Sequence, residues 1–197
     1  MHRRLSLICT IAGTLLLLLP SLSWSSFQAG LDATRHHDYE AALKEFRPLA
    51  EKGNAAAQYN MGLLYDKGLG VQQDPEVAAR WYLRAAKQGV PQAQVKLGAM
   101  FDNGQGVTQD YAQAVRWYQL AAQQGFTKAQ VYLGMMYYRG QGVGQDHIQA
   151  HMWLNLAGAK GDRNAARFRD ILAAEMEPKQ IRKAQKLARE WKPKKTR

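Results

Sequence analysis

The sequence predicts an all-α solenoid, in which pairs of helices stack side by side. Two observations predict this fold: a fixed repeat, and helix start and stop signals in phase with it. Residues recur at an interval of 36 positions through the middle of the 197-residue chain. They are Gly62, Gly98 and Gly134; Asp74, Asp110 and Asp146; Trp81, Trp117 and Trp153; and Gly89, Gly125 and Gly161. A period between about 20 and 50 residues is typical of stacked repeats, each one a supersecondary unit.

Each repeat contains the signals of two helices. In the middle repeat, Pro91 opens the first helix, and apolar residues at helical spacing follow until Gly104. Asp110 is a typical N-cap for the second helix, which ends at Gly125. The same phase places the starts of second helices near Asp38, Asp74, Asp110 and Asp146.

A glycine lies in the middle of the first helix of each repeat. Glycine at such a position costs about 0.5–1 kcal/mol relative to alanine, so a close helix–helix approach is needed to offset it. We expect a tryptophan or tyrosine of the neighbouring helix to fill the space. The tryptophan series is therefore interpreted as core packing, with Trp117 in a buried stripe, rather than as a row that stacks on carbohydrate.

The repeated pattern resembles the Sel1-like repeats, which are relatives of the tetratricopeptide repeat (TPR). In the middle repeat the residues that carry the resemblance are Ala93, Leu97, Gly98, Phe101, Gly104, Gly106, Val107, Asp110, Ala114, Trp117, Ala121, Ala122 and Gly125. The resemblance implies a right-handed α/α superhelix of TPR-like helix pairs and a protein-interaction scaffold. It also implies a likeness to the small secreted or periplasmic bacterial members of the family.

The resemblance and the differences at the two ends predict the domain organisation. The segments are a signal peptide (1–25), an N-terminal TPR-like capping helix pair (26–53), a Sel1-like region (54–164) with repeats at about 54–89, 90–125 and 126–161, C-terminal capping helices (165–191) and a basic disordered tail (192–197).

The N-terminus has the features of a secretory signal. Arg3 and Arg4 provide positive charge, and the apolar run over 5–19 is shorter than the roughly 20 residues of a membrane span. Small residues that suit signal peptidase lie at Ser23 and Ser25. We therefore expect cleavage there and export to the periplasm or beyond, with an uncleaved membrane anchor as the alternative.

Candidate catalytic chemistry is sparse. All five serines lie within the first 26 residues, and the only cysteine is Cys9. The chain after Ser26 therefore lacks a serine or cysteine nucleophile, a disulfide and a thiolate metal site. His147 and His151 are four residues apart on a predicted helix, but no glutamate follows His147, and both are interpreted as surface histidines rather than metal ligands. We predict neither an enzyme nor a cofactor, and a cell-wall-related hydrolase is the least favoured alternative.

One side of each first helix points away from the packed stripe and is expected to line a concave groove. At 100° per residue, three positions of each repeat fall on that side. They are Tyr59, Leu63 and Asp66; Val95, Ala99 and Asp102; and Val131, Met135 and Tyr138. This mixture of aromatic, aliphatic and acidic side chains favours a protein or peptide partner with some basic residues.

Positive charge is concentrated at the C-terminal end. Residues 179–197 carry nine Lys or Arg and one acid, whereas residues 26–178 carry 16 basic and 15 acidic side chains. The candidate residues for an anionic partner are Lys183, Lys186, Arg189, Lys192, Lys194, Lys195 and Arg197. An anionic envelope polymer or surface is therefore the alternative partner, and nucleic acid is not expected behind an export signal.

Overall fold

The computed structural model describes residues 19–194, with side chains from residue 24 onward, and this range contains ten α-helices and no strand. The helices are α1 (Leu19–Arg35), α2 (Tyr39–Glu51), α3 (Ala55–Lys67), α4 (Pro75–Lys87), α5 (Pro91–Asn103), α6 (Tyr111–Gln123), α7 (Thr127–Arg139), α8 (His147–Ala159), α9 (Arg163–Ala174) and α10 (Pro178–Glu190). The predicted all-α class is confirmed. Residues 1–18 of the predicted signal peptide lie outside the described residues, and the remainder begins α1.

None of the described helices is both long enough and apolar enough to cross a membrane. The helices instead pack in sequence and build a stack. The pairs α3–α4, α5–α6 and α7–α8 form three equivalent repeats, the pair α1–α2 precedes them, and α9 follows on α8. The last helix, α10, does not extend the stack but folds back against α8. Buried clusters are shared between neighbouring pairs, so each repeat completes the core of the next.

An aspartate caps the second helix of each of the first four pairs. Asp38, Asp74, Asp110 and Asp146 each accept a hydrogen bond from the backbone N–H three residues later, at 2.9–3.1 Å. Such a bond satisfies one of the free N–H groups at a helix start. The predicted helix starts are therefore confirmed.

The loop inside each repeat uses two glycines, and each has a physical reason. Gly104 and Gly106 have φ values of 69° and 67°, in the left-handed region that side chains with a Cβ disfavour. Gly106 also lies directly against the Pro75 carbonyl at the start of α4, where a Cβ would clash. Gly142 meets the carbonyl of Tyr111 in the same way. The second glycine thus lets the loop of one repeat dock on the preceding pair.

The mid-helix glycines allow the close helix contacts that the sequence predicts. A Cβ on Gly62 would lie 2.5 Å from the Tyr82 ring, and one on Gly98 would lie 2.7 Å from the Tyr118 ring. Both rings are fully buried. In the third repeat Leu154 takes the place of the tyrosine. Tyrosine and leucine, rather than tryptophan, therefore fill the space opposite the glycines.

The tryptophans of the series pack between repeats. Trp81 packs on the cluster of α2 and α3, and Trp117 packs on that of α4 and α5. Trp153 is 6% exposed and belongs to the cluster of α6 and α7. Trp117 is only partly buried, because it borders a surface cavity between α4 and α6. Trp117, predicted in the buried stripe of α6, therefore packs on the core but keeps part of its surface exposed.

A ladder of buried glutamines joins the repeats, and the sequence analysis did not identify it. Its members are Gln58, Gln94 and Gln130. Each is at most 4% exposed and donates its Nε2 to a carbonyl of the preceding second helix, at 3.0–3.4 Å. The first two accept a further bond at Oε1, from Gln88 and Gln124, at 2.7 and 2.8 Å. Lys160 occupies the third donor position, and the Gln130 Oε1 has no partner among the described residues.

Candidate partner-binding surface

The first helices of successive pairs, α3, α5, α7 and α9, contribute to one surface that we call the groove face. A cavity of about 250 Å³ lies between α3, α5 and α7 and is called the basic pocket. It is lined by Tyr59, Gln92, Val95, Lys96, Ala99, Phe126, Lys128 and Tyr132. Three of these residues, Tyr59, Val95 and Ala99, are predicted groove positions. The structure adds two lysines and two aromatic rings to them.

A second cavity of about 100 Å³ lies between α7, α8 and α9 and is called the apolar pocket. It is lined by Met135, Tyr138, Leu154, Phe168, Ile171 and Leu172. Met135 and Tyr138 are predicted groove positions. Phe168 and Ile171 were missed, because α9 lacks the repeat pattern that marked the other positions. These two side chains are 45% and 51% exposed, which is high for large apolar groups.

Five predicted groove residues belong wholly or partly to the core. Val95 is only 5% exposed, because it packs into the cluster formed by α6, α7 and α8. Tyr59 and Leu63 pack against the cluster of α4 and α5, and Val131 and Tyr138 pack against that of α8 and α9. Val95 was expected to point away from the packed stripe, and that expectation is wrong. Its side chain borders the basic pocket from the core side.

The acidic groove position of the first repeat, Asp66, is engaged within the protein. Asp66 accepts a hydrogen bond from the Tyr82 hydroxyl at 3.1 Å and forms an ion pair with Lys96 at 2.9 Å. Its side chain is only 14% exposed. Burial, and then the nearby Asp66 carboxylate, raise the pKa of Tyr82 well above its ordinary range. Asp66 therefore anchors Lys96 and Tyr82 instead of presenting a free carboxylate.

Asp102 occupies the equivalent place in the next repeat. Burial, and then the Asp102 carboxylate, raise the pKa of Tyr118 well above its ordinary range. The position of Lys96 is taken here by Tyr132, whose ring stacks on that of Tyr118 with centroids 4.9 Å apart and an angle of 19°. Neither Asp66 nor Asp102 lines the two pockets. The groove face thus exposes fewer acids than the sequence predicts.

The three equivalent helix pairs coincide with matches to a known repeat family. The Sel1 repeat family profile matches residues 55–90, 91–126 and 127–162, which together are 108 of the 197 residues. The matched segments correspond to α3–α4, α5–α6 and α7–α8.

The chain belongs to the Sel1 repeat family.

Solved Sel1 repeat structures have the same architecture. The chain is similar to a Sel1 repeat protein from Oxalobacter formigenes, with 37% identity, a TM-score of 0.66, and coverage of 69% of this chain and 56% of that one. It is also similar to c5321, a protective antigen present in uropathogenic Escherichia coli strains that displays an SLR fold, with 30% identity, a TM-score of 0.51, and coverage of 86% and 45%. The chain thus spans about half the length of each. A comparison with curated proteins finds no match.

Sel1 repeats generally mediate protein–protein interactions, and scaffolds of this type are typically non-catalytic. The resemblance in the sequence and the repeat superhelix that it implies are therefore confirmed. The groove face of this Sel1 repeat protein is the surface on which exposed aromatic and apolar side chains from several repeats come together. It is accordingly our candidate site for a partner.

The two histidines of α8 have different environments. His151 is 2% exposed, because α8 is packed between α7, α9 and α10, so the expected surface position is wrong for it. Burial, and then the charge of Arg169, lower the pKa of His151 below its ordinary value. His147 is partly exposed, and its ring lies 5.7 Å from that of Tyr138. Within the described residues, no group of three or more His, Cys, Asp or Glu side chains could hold a metal ion.

The last helix presents basic side chains to solvent and packs through small and aromatic ones. Ala184 and Ala188 are buried, and Trp191 contacts Trp153 with ring centroids 6.0 Å apart. The exposed residues of the predicted anionic-partner tail are Lys183, Lys186, Arg189, Lys192 and Lys194, while Lys195 and Arg197 lie outside the described residues. A basic row therefore lies on the outer side of α10.

Residues 192–194 have a defined position, which differs from the disordered segment expected there. The backbone N–H of Lys194 donates to the carbonyl of Gln123 at 2.7 Å. Lys194 and Trp117 also border a cavity of about 370 Å³ away from the groove face. The reason is that α10 folds back along the stack and carries these residues to the end of α6.

Proposed function

We propose that this Sel1 repeat protein is an exported, non-enzymatic scaffold that binds a partner protein through the groove face. The observation that carries the binding proposal is the apolar pocket, where Phe168 and Ile171 are half exposed beside Met135 and Tyr138. Exposed apolar groups that cluster in this way mark interaction surfaces. Aromatic residues and methionine are also enriched at interfaces.

The proposal of binding is tested by partner capture with a matched control. The double variant Met135→Lys and Ile171→Lys places two charges in the apolar pocket, and we expect it to lose the cross-linked partner that the wild-type chain captures from envelope extracts. The control is Leu120→Lys, which changes a side chain of comparable exposure, 41% against 51% for Ile171, on a second helix. Both proteins must retain a wild-type thermal melt. Equal capture by the double variant and the wild type would remove the groove face as the site.

The proposal of export is supported by the basic and apolar leader that precedes α1. It predicts a mature protein that begins at Trp24 or Ser26, after cleavage behind Ser23 or Ser25. Cell fractionation followed by N-terminal sequencing measures this directly. A chain recovered with Met1 still attached, or recovered from the cytoplasm, would contradict export by a cleaved signal.

The proposal of a non-enzymatic role is supported by composition. No serine or cysteine follows Ser26, so the folded repeats have neither of the commonest hydrolase nucleophiles. Turnover of cell-wall fragments by the purified chain would contradict it.

A second candidate function is attachment to an anionic surface, and the basic row on α10 favours it. Lys183, Lys186 and Arg189 are exposed, and Glu190 is the one acid among residues 179–194, 3.8 Å from Lys186. Vesicles with and without phosphatidylglycerol test this function. If α10 is the site, the anionic vesicles sediment the protein, and Lys183→Glu with Lys186→Glu abolishes the sedimentation. Added salt should also weaken the binding, because exposed charges are screened beyond a Debye length of about 8 Å at 0.15 M.

A further inference from the structure

We infer that the groove face selects a partner segment that carries a carboxylate about three residues from a bulky apolar side chain, rather than a basic segment. This inference rests on the proposed function and specifies the chemistry of its ligand. It follows from three properties of the face: the unpaired charge in the basic pocket, the position of that pocket relative to the apolar one, and the engagement of Asp66 by Lys96 and Tyr82.

The basic pocket has positive charge to offer and no acid in its lining. Lys96 is bound to Asp66, and its side chain is 38% exposed, so part of its charge is already compensated. Lys128 is exposed in the first turn of α7, and no hydrogen bond or ion pair engages it among the described residues. Asp66, which pairs with Lys96, also accepts a hydrogen bond from the buried Tyr82 hydroxyl and does not line the pocket. A partner carboxylate would therefore meet an available ammonium group at Lys128.

Aromatic walls strengthen the site for such a ligand. Tyr59, Phe126 and Tyr132 line the same cavity as the two lysines. The ring of Tyr132 is held in place by its stack on the buried Tyr118 ring. Rigid aromatic rings offer contact area at little cost in side-chain entropy, and they exclude water around a charge pair, which strengthens that pair.

The arrangement along α7 sets the spacing between the two ligand groups. Lys128, Tyr132 and Met135 follow at intervals of four and three residues, so they lie along one stripe of the helix. Lys128 and Met135 are seven residues apart, which is about 10 Å along the helix axis. Lys128 lines the basic pocket and Met135 lines the apolar one. An extended segment covers this distance in about three residues, so we expect the carboxylate and the apolar side chain about three positions apart.

Phage display of random dodecapeptides on the purified chain tests the inference even while the natural partner is unidentified. We expect the enriched peptides to contain Asp or Glu about three residues from Phe, Leu, Ile or Trp, and to be depleted in Lys and Arg. Panning on Lys128→Glu is expected to remove the preference for acids. Panning on Lys67→Glu, which changes an exposed lysine that lines neither pocket, is expected to keep it.

The best peptide then gives a quantitative measurement by fluorescence anisotropy. Lys128→Glu is expected to weaken its binding several-fold, because the change replaces an attraction at an exposed site by a repulsion. The same peptide with its acid changed to the amide should bind more weakly to the wild type and respond little to Lys128→Glu. A peptide whose affinity is unchanged by Lys128→Glu would overturn the assignment of the carboxylate to this lysine.

The outcomes separate this inference from the proposed function. Peptides that need Met135 and Ile171 but are basic or neutral would overturn the inferred chemistry and leave the groove face as the binding surface. Peptides selected equally well by the variant Met135→Lys with Ile171→Lys would overturn both. An enrichment of acidic and apolar peptides that disappears in both the Lys128 and the Met135 variants would support both.

Discussion

The mid-helix glycine and its partner are the residue pair that recurs through the stack. The partners Phe46, Tyr82, Tyr118 and Leu154 follow one another at the 36-residue interval, opposite Gly30, Gly62, Gly98 and Gly134. The side chain on the second helix occupies the volume that a Cβ on the first would need. A Cβ in place of the glycine hydrogen would therefore enter a volume that is already filled, so alanine is unfavourable here although it is the better helix former.

The substitution Gly98→Ala is expected to destabilise the protein by about 1–3 kcal/mol, because a Cβ would lie 2.7 Å from a rigid, fully buried ring. Gly134→Ala is the matched comparison. Its Cβ would lie 3.0 Å from Leu154, which can change its rotamer, so its loss should be clearly smaller. Urea unfolding of both variants measures the difference. A Gly98→Ala variant within about 0.5 kcal/mol of the wild type would contradict the close approach.

The burial of His151 predicts a dependence of stability on pH. Its pKa in the folded protein is below the ordinary value of 6.5, so the folded state keeps it neutral while the unfolded chain binds a proton as the pH falls. Stability should therefore be lost from pH 7.5 towards pH 5. His151→Val, which inserts the residue found at the equivalent Val115, should lose less over that range. Identical thermal melting profiles against pH for both proteins would show that His151 does not titrate differently on folding.

Neighbouring helix pairs are tied together by the glutamine ladder as well as by apolar contact. Each ladder amide crosses from a first helix to the second helix before it, so it fixes the position of one repeat against the next. Buried polar groups of this kind add specificity when all their hydrogen bonds are made. The third rung is incomplete, because Lys160 donates to the carbonyl of Gly125 and leaves the Gln130 Oε1 without a partner among the described residues.

Completing the third rung should stabilise the protein. Lys160→Gln recreates the arrangement at Gln88, which donates to both Gly53 and Gln58, and we expect a gain of about 0.5–1.5 kcal/mol. The reverse change in the middle of the stack, Gln124→Lys, should cost about 1–3 kcal/mol, because it leaves a buried acceptor unpaired. Chemical denaturation compares the two variants. If both variants changed the free energy of unfolding by the same amount and in the same direction, the glutamine ladder would not stabilise the protein in this way.

The C-terminal end of the stack is capped by the last helix. At the C-terminal side α10 returns to α8, so the outer surface of the third repeat is covered while α9 keeps Phe168 and Ile171 exposed on the groove face. In a stack that is stabilised by nearest neighbours, such a cap protects the repeat that it covers and has little effect on distant ones.

Removal of α10 is therefore expected to have a local effect. A chain that ends at Glu177 should lose protection from hydrogen exchange in α8, because Trp153 loses its contact with Trp191. Protection in α4 should change little. A chain that ends at Lys194 is the control and should resemble the full chain. Equal loss of protection in α4 and α8 would indicate that the stack unfolds as a single unit.

The sequence by itself determined the repeat, its helix boundaries and the close approach at the glycines. These features are local or periodic: a side chain at Asp110 caps its own helix, and Gly104 adopts the left-handed conformation that ends its own helix, so the chain carries their signals at fixed spacing. The buried glutamines carry the same spacing and could have been identified from it.

Only the tertiary structure decided which of the remaining side chains are exposed. Val95 and His151 are buried because helices from other repeats cover them, and Asp66 is engaged because Lys96 approaches it from the next repeat. Helical periodicity gives the direction of a side chain on its own helix, but the superhelix sets which neighbour lies in that direction. For that reason the two pockets of the groove face are lined by lysines, aromatic rings and apolar side chains, and neither of the two acids that the sequence placed in the groove lines them.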